Sequence, residues 1–148
     1  MTIARSPVGE RPAPRLQHVR VRDVMHPGVV TCPAEASVRE VARVMATHRI
    51  HCVAVPDPPG AGAGSWAIVS DRDLIAATAT GDEGARSAAE IGTTETLTIS
   101  DGDSVDRAVQ LMAEREVAHL VVVAAASGRP VGVLSTLDVA GLLAGGEE

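Results

Sequence analysis

Apolar residues recur with the period of an amphipathic helix in two stretches of the chain. Their positions are Val38, Val41, Ala42 and Met45 in the first stretch, and Val105, Ala108, Val109 and Met112 in the second. Because this i, i+3, i+4, i+7 spacing puts the apolar side chains on one face, each stretch is predicted to form a helix that packs on a core. Ser37 and Ser104 precede the two stretches and stand 67 residues apart. We therefore predict an internal duplication.

The serine before each helix has the chemistry of an N-cap, because its hydroxyl can accept a hydrogen bond from a free backbone N–H. Ser37 is followed by Glu40 at the spacing of a capping box, whereas Arg107 takes the acidic position after Ser104. The start of the first helix is therefore the more strongly marked of the two.

Runs of β-branched and aliphatic residues follow each helix and predict two strands per copy. The strands are predicted at residues 50–55, 66–69, 119–123 and 131–134, the closing helices at residues 71–80 and 136–143, and the short opening strands at residues 29–31 and 97–99. The chain is thus predicted to be an α/β (α+β) protein made of two tandem β-α-β-β-α units.

The predicted organisation has a flexible arm at residues 1–19, copy one at residues 20–82, copy two at residues 83–144 and a tail at residues 145–148. A unit of roughly 60 residues buries too little surface to be more than marginally stable by itself. We therefore expect the two copies to pack closely around a pseudo-twofold axis and to share a core.

The composition narrows the classes of function. A formal net charge of -6 and an aromatic content of 1% argue against nucleic-acid binding, which needs basic and stacking side chains. The longest unbroken aliphatic run, residues 120–126, is far shorter than the roughly 20 residues that span a bilayer. Cys32 and Cys52 form no CxxC pair, which favours free thiols in a reducing compartment. We expect a cytoplasmic protein that binds neither nucleic acid nor membrane.

Three stretches occur in the same order and at matching spacing in both copies. In copy one they are residues 23–25 with 29–31, the helix after Ser37 with residues 50–55, and residues 69–74; the last corresponds to residues 131–139 in copy two. This duplicated set resembles the tandem cystathionine-β-synthase-like (CBS) domain pair, or Bateman module. The resemblance implies a regulatory homodimer that is not an enzyme and that signals to a regulated partner protein by conformational change.

The same resemblance implies a ligand that contains adenosine, such as AMP, ADP, ATP or S-adenosylmethionine, bound in clefts between the units. The residues implicated are Asp73 and Asp138 for the ribose hydroxyls, Ser70 and Ser135 near the ribose and phosphate, Thr31 and Thr98 facing the adenine, and His51 and His119 lining the cleft. The chemistry is suitable, because a carboxylate can accept hydrogen bonds from two hydroxyls and a helix N-terminus attracts phosphate.

Copy one departs from the family pattern at this predicted ligand edge. Ala67 stands where the family usually has glycine, and copy two has that glycine as Gly132. Since a side chain at this position could crowd a ligand that approaches the backbone, copy two is expected to form the stronger site and copy one a weak or altered one.

The serine and aspartate pairs also have a simpler interpretation. The spacing Ser70-x-x-Asp73 and Ser135-x-x-Asp138 is that of a helix cap, which needs no ligand. If the nucleotide sites have decayed, the chain would instead be a protein-interaction module.

A second alternative is a metal- or thiol-dependent enzyme centred on His48, His51 and Cys52, with His119 as a further ligand. Their spacing matches no standard zinc site, and no arrangement typical of a catalytic triad is present. The glycines of residues 60–64 lack the Lys-Ser/Thr of a phosphate-binding P-loop, so they are expected to form a flexible hairpin loop.

Overall fold

The computed structural model describes residues 15–62, 64–81, 84–94 and 97–145. The fold is a mixed α+β arrangement in which the two copies repeat one set of elements, as predicted. In chain order the elements are a 3-10 helix Leu16–His18, α1 Val21–Val24, β1 His26–Pro27, α2 Val38–His48, β2 Cys52–Pro56, β3 Trp66–Ser70, α3 Asp71–Ala79, α4 Ala88–Ile91, β4 Thr98–Ser100, α5 Val105–Arg115, β5 His119–Val123, β6 Pro130–Ser135 and α6 Thr136–Leu143.

The two amphipathic helices begin where the sequence indicates. At α2 the Ser37 hydroxyl accepts a hydrogen bond from the backbone N–H of Glu40, and the Glu40 carboxylate accepts one from the backbone N–H of Ser37 at 2.8 Å. At α5 the Ser104 hydroxyl accepts from the backbone N–H of Arg107, whose guanidinium has no acceptor with which to complete a box. The predicted capping box is therefore confirmed at α2.

The strands form two sheets. The larger has the order β1-β6-β5-β4, and the smaller is the antiparallel pair β2-β3. Copy two has its predicted opening strand, because β4 runs parallel to β5. In copy one the strand predicted at residues 29–31 is instead an isolated parallel bridge between Thr31 and Ala54. Pro33, which has no backbone N–H to donate to a sheet, stands where copy two has Ser100.

The two copies exchange their opening segments, which we define as residues 20–27 of copy one and residues 87–94 of copy two. Each segment pairs with the opposite copy, and the two sets of pairs follow the same register. The pairs are His26 with Val133 and Thr93 with Ile68 on the strands, and Arg20 with Ser104 and Ser87 with Ser37 at the helix starts. The unit that packs together therefore combines most of one copy with the opening segment of the other.

The hydrophobic core reflects this exchange. Val21 of the first opening segment is completely buried in the core of copy two, and Ala88 of the second is completely buried in the core of copy one. A third cluster, formed by Ala54, Ile68 and Val121, lies where residues of the two sheets meet. The expected close packing of the copies is thus present, and each copy contributes directly to the core of the other.

The segment just before copy one differs from the expected flexible arm. Leu16 and Val19 pack against the core of copy two, and the Val19 carbonyl accepts a hydrogen bond from the backbone N–H of Val105 at 2.8 Å. Residues 15–19 are therefore packed, because their apolar side chains and backbone find partners on the other copy. Residues 1–14 of the predicted arm lie outside the described residues.

Candidate functional site

The two serine–aspartate pairs form matching caps on α3 and α6. In each pair the serine hydroxyl accepts from the aspartate backbone N–H, and the aspartate Oδ2 accepts from both the serine backbone N–H and the serine hydroxyl. The backbone nitrogen lies 2.7 Å from Oδ2 in Ser70–Asp73 and 2.8 Å in Ser135–Asp138. The capping interpretation is therefore confirmed. We call these pairs the first and the second half-site.

A pair of histidines connects the two copies beside the half-sites. His119 begins β5 directly opposite Ser135, and the carbonyl of His51 accepts from the backbone N–H of Asp71 at 2.8 Å. The His51 and His119 rings lie with their centroids 5.0 Å apart, and His51 Nδ1 is 2.9 Å from Asp71 Oδ2. The structure thus brings together the two histidines that were predicted to line the cleft, one from each copy.

The environment of these histidines favours a neutral ring at His119. Burial lowers the pKa of His119, and the neighbouring His51 lowers it further, whereas Asp71 and Asp138 act in the opposite direction. Both carboxylates are therefore close enough to act on one imidazole. His119 thus lies in the electrostatic field of one carboxylate from each copy, at the boundary between the copies.

Cys52 lies at the start of β2, opposite Ser70 in the ladder. Burial, with a contribution from the Asp71 carboxylate, raises the pKa of Cys52 to about 11. Burial, together with Glu40, also raises the pKa of Cys32. Both cysteines are free thiols and remain protonated at neutral pH, which disfavours nucleophilic chemistry.

The two threonines predicted to face adenine lie on segments that run beside β2 and β5, and Thr31 is not itself part of a strand. Thr31 pairs with Ala54 and Thr98 pairs with Val121, next to the cluster where the sheets meet. Thr31 also lines a cavity of about 570 Å³ between α2 and the turn that includes Cys32. Both threonines are exposed, so their side chains are accessible from solvent.

One residue at the second half-site was missed by the sequence analysis. His26 of strand β1 places its Nδ1 2.9 Å from Asp138 Oδ1. The residue comes from the opening segment of copy one, more than 100 positions away along the chain. No motif surrounds it, and only the exchange of opening segments brings it to Asp138.

Packing accounts for the glycine that distinguishes copy two from copy one. A Cβ at Gly132 would lie 2.5 Å from the His26 carbonyl oxygen and 2.8 Å from Met25 Sδ. The space beside Gly132 is thus filled by the opposite opening segment. In the equivalent contact of copy one the larger residue is on the strand, as Ala67, and the glycine is on the opening segment, as Gly92 at the position equivalent to Met25. The difference in half-site strength expected from Ala67 stays a prediction, since the contacts of Gly132 explain this glycine without a ligand.

The glycine-rich segment lies at the other end of the β2-β3 hairpin from the first half-site. The Asp57 carboxylate accepts from the Gly64 backbone N–H at 2.7 Å, and the Arg129 guanidinium lies 5.9 Å from the centre of the Trp66 ring. A cavity of about 520 Å³ opens between them. The segment connects two strands, as predicted, and it does not adjoin the serine–aspartate pairs.

The alternative metal site is not supported by the positions of its residues. His48 Nδ1 lies 3.0 Å from the Val44 carbonyl oxygen of its own helix, whereas His51 faces Asp71 and His119. In the part of the chain that the structure describes, no three His, Cys, Asp or Glu side chains are grouped as metal ligands. None of the described helices has both the length and the apolar character needed to cross a bilayer.

The fold and the duplicated caps define the class of protein. The CBS domain model matches residues 21–79 and again residues 88–145. The chain therefore belongs to the CBS domain family, with two domains in tandem. No curated protein matches the sequence significantly.

Solved CBS domain structures share this architecture. A CBS domain protein from Pyrobaculum aerophilum, complexed with AMP, is 30% identical with a TM-score of 0.69, covering 81% of this chain and 89% of that one. A CBS domain pair in complex with 5′-methylthioadenosine and S-adenosyl-L-methionine has a TM-score of 0.72 at 22% identity, covering 87% and 98%. A CBS-domain containing protein from Agrobacterium tumefaciens has a TM-score of 0.70 at 24% identity, covering 86% and 97%.

Proposed function

We propose that this protein is a regulatory CBS pair that binds an adenosyl ligand, with AMP as the first candidate. The observation that carries the proposal is the duplicated serine–aspartate cap beside the boundary of the copies, in a chain 30% identical to a CBS domain protein complexed with AMP. Each cap combines a helix N-terminus, a hydroxyl and a carboxylate, which together suit a ribose and a phosphate.

In this proposal the eight residues implicated by the sequence keep their roles. The ribose contacts are Asp73 and Asp138, the phosphate side is formed by Ser70 and Ser135, the adenine side by Thr31 and Thr98, and the cleft wall by His51 and His119. The raised pKa values of both thiols support a role that is not catalytic. ADP, ATP and S-adenosylmethionine are the further candidate ligands.

Signalling would follow from the position of the site between the copies. A ligand at Asp138 lies against copy two and also against the opening segment of copy one, and His51 meets His119 at the same boundary. Because a ligand shifts a conformational equilibrium only by its difference in affinity for the two states, occupancy would favour one arrangement of the copies. A partner protein in the same compartment, which we propose to be the cytoplasm, would respond to that arrangement.

Substitution of the ribose carboxylate tests this function. Asp138→Asn keeps the size of the side chain but removes the charge that strengthens hydrogen bonds to ribose hydroxyls. We expect its affinity for AMP to fall by about 10- to 100-fold, since hydrogen bonds to a charged group contribute about 1.5–3 kcal/mol. Isothermal titration calorimetry with the full chain measures this change.

Glu90→Gln is the matched control, because Glu90 completes a cap of the same kind on α4 with Ser87. We expect this variant to bind AMP as the unchanged protein does. If the unchanged protein shows neither heat of binding nor a rise in Tm with millimolar AMP, ADP, ATP or S-adenosylmethionine, the interaction-module alternative is favoured.

We also propose that the protein forms a homodimer through the outer faces of α3 and α6. Ile75, Leu137 and Leu143 are large apolar side chains with exposures of 69%, 76% and 50%. Leu137→Glu is expected to dissociate the dimer in sedimentation equilibrium, because association would bury the new charge. Ala113→Glu adds the same charge to α5 and should leave the dimer intact. A monomeric unchanged protein at micromolar concentration would contradict the proposal.

A further inference from the structure

His26 occupies a position that a ligand of the second half-site would need. Its ring nitrogen contacts Asp138 Oδ1 at 2.9 Å, from a side chain that is 75% exposed to a carboxylate that is only 9% exposed. The backbone beneath His26 is held firmly, because β1 pairs with β6 and the Gly28 N–H donates to the Val131 carbonyl at 2.7 Å. The fold therefore keeps the imidazole within reach of the carboxylate.

The hydrogen-bonding capacity of Asp138 limits what else it can bind. An ionised carboxylate offers about four lone-pair sites, two on each oxygen. Oδ2 already accepts from the Ser135 backbone N–H and from its hydroxyl, and His26 Nδ1 lies 2.9 Å from Oδ1. The free lone-pair sites are therefore on Oδ1, beside the imidazole, and a ribose presents two adjacent hydroxyls. A ribose bound through both hydroxyls therefore needs the site that His26 occupies.

The corresponding position at the first half-site carries a different residue. Thr93 pairs with Ile68 as His26 pairs with Val133, so the backbone of both opening segments accepts either residue in the same register. The Asp73 carboxylate makes the same two contacts to Ser70 that Asp138 makes to Ser135. The imidazole is thus a difference between two half-sites whose caps are alike.

The geometry points to His26 as a residue that competes with the ribose of an adenosyl ligand for Asp138 and so sets the affinity of the second half-site. The inference rests on the proposed function and adds a residue that no motif indicates. Binding at the second half-site then requires His26 to leave the carboxylate. Because β1 stays paired with β6, this release needs only the His26 side chain to turn away from Asp138.

His26→Thr tests the competition, since threonine is the residue at the equivalent position of the other opening segment. The variant is titrated with adenosine and with AMP in an Asp73→Asn background, so that the second half-site dominates the signal. We expect both ligands to bind about two- to fivefold more tightly, as loss of a partly exposed polar contact of up to about 1 kcal/mol allows. His18→Thr, which removes an exposed histidine that is not among the proposed ligand contacts, should leave both affinities unchanged.

The outcomes separate the inference from the function on which it rests. Suppose that the Asp73→Asn protein binds adenosine both with and without the His26→Thr substitution, and that the substitution does not tighten binding. The competition is then refuted, while the nucleotide function stands. If His26→Thr weakens AMP but not adenosine, His26 is a phosphate contact and the competition is likewise refuted. If no variant, including one with Asp73 intact, binds any adenosyl ligand, the proposed function fails and the inference falls with it. Far-UV circular dichroism verifies that each variant is folded.

Discussion

The two cysteine thiols are the side chains of this protein that titrate in moderately alkaline solution. The sequence has no tyrosine, and all 13 of its Lys+Arg residues are arginines, which stay charged throughout this range. Burial and nearby carboxylates raise the pKa of Cys52 to about 11 and also raise that of Cys32. The folded protein therefore keeps its thiols protonated at pH values where an unfolded chain would ionise them.

We expect the free energy of unfolding to fall by on the order of 2 kcal/mol as the pH rises from about 9 to about 11. The sign follows because the unfolded chain binds fewer protons than the folded one in this window. Urea unfolding at a series of pH values measures the fall. Cys52→Ala should remove most of this fall in the free energy of unfolding, and Cys32→Ala should remove less of it. An undiminished fall in the double variant would contradict the assignment of the fall to the two thiols.

At the scale of elements, the contact between β1 and β6 depends on two residues of complementary size, one small and one large. Gly132 on β6 leaves room for Met25 and for the His26 carbonyl. The equivalent contact in the other half has Ala67 on the strand and Gly92 on the opening segment, where a Cβ would lie 3.1 Å from the Ile68 carbonyl. Each half thus has one glycine at this contact, on opposite sides.

Gly132→Ala is therefore expected to lower the free energy of unfolding by about 1–3 kcal/mol, because the new methyl group forces β1 away from β6. Urea denaturation measures the loss. Gly141→Ala is the matched control, since its Cβ would meet no atom within 4 Å and alanine favours a helix by roughly 0.5–1 kcal/mol. Equal effects of the two substitutions would show that the contact at Gly132 does not limit the packing.

The elements themselves could be predicted because their signals are local. The apolar period after Ser37 and the capping spacing of Ser135 with Asp138 lie within a few residues of the structure that they specify. The exchange of opening segments could not be predicted in this way, because backbone hydrogen bonds such as that from Val21 N–H to the Asp103 carbonyl leave no mark in the sequence. His26 was missed for the same reason, although the duplicated cap that it contacts was found.

For the whole molecule, the exchange predicts that both copies unfold in one transition. Leu120→Ala removes a completely buried side chain from copy two, which should cost about 2–5 kcal/mol. Trp66, the single tryptophan of the chain, lies in copy one. We expect the substitution to shift the urea midpoint of Trp66 fluorescence and of far-UV circular dichroism equally, since neither core is complete without the other copy.

Val53→Ala is the matched variant in copy one, at the position equivalent to Leu120. It should shift the same single transition, by less because fewer atoms are removed. Two separate transitions, with Trp66 fluorescence insensitive to Leu120→Ala, would mean that the copies fold independently in spite of the shared core.

The exchanged segments give the pair the topology of a domain-swapped dimer whose two protomers are joined in one chain. In a separate copy, the opening segment and its docking surface would have to find their counterparts on a second molecule, at a rate and to an extent that depend on concentration. The connection between α3 and α4 makes that encounter intramolecular, at an effective concentration of the order of millimolar for a short linker. Dilution therefore cannot separate the two halves, and a ligand held between them acts on a contact that remains complete at any protein concentration.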